Sequence, residues 1–129
     1  MQILSATFVE NIDLRQGAGG ATRIDLTGVH FSFVAPSPLP VSIAPHLVVL
    51  VRCPPGEGGF AALEVVFKDA KGEQVARSVM PFEVEPGKFG YRLVRGELTF
   101  EEYGTIEAHC QLDDGPVTVV PLTLLPPAG

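Results

Sequence analysis

The 129-residue chain carries 15 acidic residues against 9 basic ones, a net charge of −6, and 46% of it is apolar. That composition belongs to a globular domain and not to a solvated tail, and with no run of Lys or Arg the chain lacks the positive patch that grips a nucleic-acid backbone or an anionic membrane. Met1 to Thr7 has no basic stretch leading into an apolar one, and the longest apolar run, Leu47 to Val51, falls far short of the ~20 residues that span a bilayer. A cytoplasmic location with both cysteines as thiols is therefore expected.

The 14 Gly and 12 Pro fall between short β-rich segments, as turn punctuation does. Read in chain order, they leave about eight strands, over residues 3–12, 22–34, 44–53, 60–69, 74–83, 89–99, 104–112 and 116–125, and no helix. In the first strand Leu4, Ala6 and Phe8 share one face. The second strand changes phase at Thr27-Gly28: Ile24 and Leu26 have one parity, Val29, Phe31 and Phe33 the other, which predicts a bulge or a passage between sheets. In the third, Leu47, Val49 and Val51 point inward, so Val48 and Leu50 point outward. The proline-rich Pro36 to Pro40 and the loop Pro54 to Gly59 read as crossovers at the ends of two layers.

Asp69-Ala70-Lys71-Gly72 and Asp113-Asp114-Gly115 mark hairpins, with Gly supplying the positive φ that a tight turn demands. The seventh strand alternates most cleanly, Ile106, Ala108, Cys110 and Leu112 opposing Thr105, Glu107, His109 and Gln111. The eighth repeats the phase change of the second, Val117 and Val119 giving way to Leu122 and Leu124 across Val120-Pro121. The pattern predicts one all-β domain over residues 1–129, an antiparallel sandwich of two sheets and immunoglobulin-like type.

Several of these stretches together resemble a family of small bacterial β-sandwich proteins described only as a domain of unknown function. They are Ile24 to Val29 with Pro36 to Pro40, Leu47 to Val51 leading into Pro55-Gly56-Glu57, Leu63 to Val65 through Asp69 to Glu73, and Tyr103 to Ala108 with the Asp114-Gly115 hairpin. The resemblance covers most of the chain and implies a fold, without catalytic residues to transfer. The closing segment also resembles immunoglobulin domains, in which a Gly precedes the strand of the second cysteine; Cys53 and Cys110 would be the pair. No Trp is present, and Ile106 occupies the place of the corner Tyr.

No reactive constellation emerges. A nucleophile needs a base held beside it, yet His109 and Cys110 are strand neighbours that project to opposite faces, and His30 and His46 stand apart. No closely spaced Cys and His ligands offer a zinc site, and Glu101-Glu102, Asp113-Asp114 and Glu83 with Glu85 read as solvated surface or turn residues. Gly17 to Gly20 and Gly56 to Gly59 lack the following helix of a phosphate loop. Neither a catalytic role nor a cofactor or metal is expected. The chain reads as a protein-interaction or assembly module, with a small-molecule carrier, holding its ligand in an apolar pocket between the sheets, as the alternative. Val48, Leu50 and Val66, if their strands share a sheet, form an outward apolar interface for a homodimer or another protein.

Overall fold

The computed structural model describes residues 1–128 and is all-β. Eleven strands follow one another: β1 (Gln2–Gln16), β2 (Thr22–Val29), β3 (Ser32–Val34), β4 (Val41–Ile43), β5 (His46–Arg52), β6 (Phe60–Lys68), β7 (Gln74–Glu83), β8 (Phe89–Arg95), β9 (Leu98–Phe100), β10 (Gly104–Leu112) and β11 (Thr118–Leu125). A single 3₁₀ turn, Ala18–Gly20, closes the β1–β2 hairpin. The strands form a four-stranded sheet in the order β2-β1-β5-β8, a five-stranded sheet in the order β3-β11-β10-β6-β7, and the pair β4-β9.

The expected eight strands in two sheets are thus eleven in three. The difference lies in three segments. The second and sixth predicted strands each divide into a long piece and a three-residue one, giving β3 and β9, and β4 forms at Val41–Ile43, ahead of the third predicted strand. A three-residue strand spans too little sequence to display a period. Here β4 and β9 pair with each other through Val41↔Phe100 and Ile43↔Leu98 and send Val41, Leu98 and Phe100 into the core.

One hydrophobic core lies between the two larger sheets. The four-stranded sheet contributes Phe8, Leu47, Val49, Val51 and Val94; the five-stranded sheet contributes Leu63, Val65, Phe67, Ile106, Ala108, Cys110, Leu112, Val120, Leu122 and Leu124. Every second residue of β10 is buried, as alternation requires. In β11 the register with β10 runs unbroken from Gly104↔Leu124 to Cys110↔Thr118. The expected phase change at Val120-Pro121 is therefore absent: Val120 belongs to the core parity, and Val119 faces outward at 45% exposure. A real irregularity lies in β1, where the pairing with β5 shifts between Ile3 and Ser5. Leu4 is the extra residue, half exposed, while Ile3 and Ala6 pack on the core.

The passage between layers takes place just after β2. Pairs from Gln16↔Thr22 to Asn11↔Thr27 follow one register, Glu10 and Gly28 are skipped, and Val9↔Val29 resumes without a shift. Gly28 has φ +67°, so the chain turns here through a left-handed residue without gaining one. The change of sheet comes next. The His30 amide donates to the Phe8 carbonyl (3.0 Å) in the first sheet, and the Phe31 carbonyl accepts from the Thr123 amide (2.9 Å) in the second. β3 then runs parallel to β11 through Phe33↔Leu124.

The hairpins form where expected. Asp69 Oδ1 accepts from the Lys71 and Glu73 amides, both at 2.9 Å, and Gly72 has φ +82°. At the other hairpin Asp113, and not Gly115, takes the positive φ, +47°. Its carboxylate accepts from the Ala62 amide at 2.9 Å, which ties the turn to β6. At the seam between β7 and β8, the Arg92 guanidinium donates to the Pro81 carbonyl (2.9 Å) and lies 5.5 Å above the Phe82 ring.

Close packing sets a sharp requirement at Gly96. A Cβ there would stand 2.8 Å from Phe67 Cζ and 2.9 Å from Cε2, and Phe67 is 1% exposed, with no room to give way. Gly96→Ala is expected to cost about 1–3 kcal/mol as overpacking, read as a lower urea midpoint at unchanged slope. Gly58→Ala, which meets open space, is expected to stay within about 0.5 kcal/mol of the parent.

Candidate functional site

The residues expected at an interface separate. Val48 and Leu50 lie on β5 in the four-stranded sheet, whereas Val66 lies on β6 in the five-stranded one, so the three do not form one patch. Val48 does point away from the core, but it is fully buried. It sits on a central strand between Thr7 and Leu93. Alternation gives the direction of a side chain; its cover comes from strands distant in sequence.

The outer face of the four-stranded sheet can be read row by row from the register. Val29, Val9, His46 and Arg95 make one row, Thr7, Val48 and Leu93 the next, Ser5, Leu50 and Tyr91 a third, and Gln2, Arg52 and Phe89 a fourth. Val9 and Val48 are its buried floor. Phe89 is 59% exposed, Val29 47% and Leu93 37%, with Leu50 and Tyr91 half-buried between them. Arg52, Arg95 and His46 border this apolar centre, and no carboxylate belongs to any of these rows. In a chain of net charge −6 this face stands out as cationic. Sequence alternation marked Leu50; the neighbours on β8 that complete the surface come from a pairing that spans more than forty residues.

The opposite sheet has a different outer face. Val66, Val79 and Val119 are interleaved there with an Arg77–Glu64 ion pair (2.6 Å) and with His109, whose Nε2 lies 3.2 Å from Glu107. Two hollows indent the surface. One, of about 480 Å³, lies between the β6–β7 turn and β9–β10, and Asp69, Glu73, Glu97, Glu101 and Glu102 make it acidic. The other, of about 520 Å³, lies beside the β7 edge among Phe60, Ala62, Val79 and Pro81.

Among the described residues no three His, Cys, Asp or Glu side chains converge as a metal site requires. His109 and Cys110 lie on opposite faces of β10, with Cys110 in the core. The Nε2 of His30 is shielded from water without a partner beside the crossing between sheets, its ring 6.4 Å from that of Phe33. Both cysteines are buried free thiols, and Cys53 Sγ lies 3.7 Å from the Pro54 and Gly58 carbonyls. Among the described residues no helix is long and apolar enough to cross a membrane. The chain matches no protein-family model and no curated protein.

Burial pushes the Cys110 thiol up from 9.0 to about 12. Native protein is expected to resist a thiol reagent at neutral pH and to yield two groups once denatured. The folded chain holds the Cys110 proton more tightly than the unfolded one. This contribution to stability is therefore complete below pH 9.0 and is lost as the pH rises toward about 12. Stability measured across that range is expected to fall less steeply in Cys110→Ala than in the parent.

Proposed function

We propose that the chain is a non-catalytic protein-interaction module on an immunoglobulin-like sandwich, and that it docks its partner on the outer face of the four-stranded sheet. The fold reading is supported by strand order. The sequence of neighbours β1-β5-β8 opposite β11-β10-β6 resembles the A-B-E and G-F-C arrangement of immunoglobulin domains, with Cys53 just after β5 and Cys110 on β10. The free thiols fit a reducing compartment.

The observation that carries the reading is the apolar centre of Leu50, Tyr91, Leu93 and Phe89, with Arg52 and Arg95 in the bordering rows and no carboxylate among them. A contiguous apolar surface with a polar rim is the usual anatomy of an interface. A rim of one sign selects the partner. Two copies stacked face to face would bring Arg52 and Arg95 against like charges, so the face suits a protein that presents carboxylates around an apolar patch.

Capture from native lysate on immobilised wild type, Leu93→Glu and Val119→Glu tests this. A partner retained by wild type and by Val119→Glu, lost with Leu93→Glu and weakened by salt is the expected result. An unchanged set of captured proteins with Leu93→Glu would overturn the assignment of this face. Both substitutions are at exposed positions on opposite sheets, and equal melting temperatures would confirm that neither acts through the fold.

A further inference from the structure

The β1–β2 hairpin extends past the body of the molecule. β5 pairs with β1 only as far as Val9, so residues 10–28 form a two-stranded arm, and β2 has no substantial neighbour except β1. A lone hairpin is marginal in water, and this one carries Ile12↔Leu26 and Leu14↔Ile24 as an aliphatic strip, with Leu14 53% exposed. Its other face sets like charges directly opposite each other: Asp13 faces Asp25, and Arg15 faces Arg23. Such pairs are destabilising; among the described residues the diagonal Arg15–Asp25 bridge (2.5 Å) is the one ion pair that relieves them, and Asn11 donates to Asp13 at 3.4 Å.

Both edges of the five-stranded sheet are protected, whereas the β2 edge of the four-stranded sheet is not. β3 is three residues long, β7 contains Pro81, and the Pro81 carbonyl is taken by Arg92 of β8. From Thr22 to Thr27 the β2 edge has no Pro and no register shift. The Gly17 amide donates to the Ala21 carbonyl, and bonded pairs alternate from there, so Arg23 and Asp25 are bonded to β1. Thr22, Ile24 and Leu26 then direct their N–H and C=O groups to the open side.

We infer that two copies of the chain join through this edge, β2 against β2 antiparallel, with Ile24 opposite Ile24 on the two-fold axis. Thr22 then lies opposite Leu26, and the outward backbone groups of both strands are paired. Arg23 lies opposite Asp25 of the second copy in the close, non-hydrogen-bonded positions. Each charged row now reads Asp13, Asp25, Arg23, Arg15 across four strands, so the like-charged pairs of each arm meet their opposites. The neighbouring registers fail this requirement: one sets Arg23 against Arg23, the other Asp25 against Asp25. The aliphatic strips of the two arms merge, and the two bodies lie at opposite ends of the shared arm.

Light scattering behind size exclusion, over a dilution series of the full chain, is expected to show a mass near twice 13.7 kDa that falls to 13.7 kDa on dilution. Arg23→Asp is expected to weaken dimerisation by about tenfold or more, and Arg23→Asp with Asp25→Arg to restore it. Ile24→Cys is expected to form an oxidised dimer rapidly, which holds as a test even where a charge variant folds poorly. A wild type that is monomeric throughout, or a dimer indifferent to Arg23→Asp and untrapped by Ile24→Cys, would overturn the inference. The arm edge and the outer sheet face are separate surfaces, so Leu93→Glu is expected to leave the dimer intact, and either assignment can fail alone.

Discussion

A chain that builds two facing sheets must leave one and enter the other without stranding a buried backbone group. Here the exchange is made between two consecutive residues, His30 bonded to Phe8 in the first sheet and Phe31 to Thr123 in the second. Much else depends on that exchange. It releases β2 from the layers, so that the β1–β2 hairpin stands out as an arm, and it delivers β3 alongside β11 as a short parallel edge. The crossing itself is open to solvent, with Val29 47% and Phe31 69% exposed, and its backbone groups are nonetheless taken up by one sheet and then the other.

The long strands and their inward faces were legible in the sequence because β10 and β6 alternate over nine residues each, while β5 stands out as a continuous apolar run. The parity change at Gly28 was legible too, as a left-handed glycine, although the passage between sheets falls at His30–Phe31. The parity change of the last strand was misleading: Val117 and Val119 are apolar residues on an exposed face, and hydrophobicity alone does not separate such residues from core ones. Likewise Val48 and Val66 are both outward valines, but only sheet membership, a property of distant pairing, decides that they lie on opposite sides of the molecule.

The chemistry of the core explains why Cys110 and His109, adjacent in sequence, do not form a reactive pair. Cys110 is held as a neutral thiol by burial, and the nearest histidine in sequence is directed to the other side of its strand. A nucleophile in that environment meets neither base nor substrate. The polar groups with a defined geometry serve turns and seams instead: Asp69 and Asp113 fasten hairpins, and Arg92 closes the gap between the edges of the two sheets.

Charge placement then separates the surfaces that remain. The net charge of −6 keeps copies apart in general, so any contact between them has to be one where local charges alternate. The arm satisfies this because its charges are segregated by row, carboxylates at 13 and 25, guanidiniums at 15 and 23, an arrangement unfavourable within one hairpin and complementary only when a second is laid antiparallel to it. The four rows around Leu50 and Leu93 on the outer face of the four-stranded sheet hold Arg52 and Arg95 and no carboxylate, so they cannot complement themselves. In the reading proposed above, self-association and partner binding are thereby directed to different places by the same rule, and a dimer joined through its arms would leave both Arg52–Arg95 faces free for a second protein.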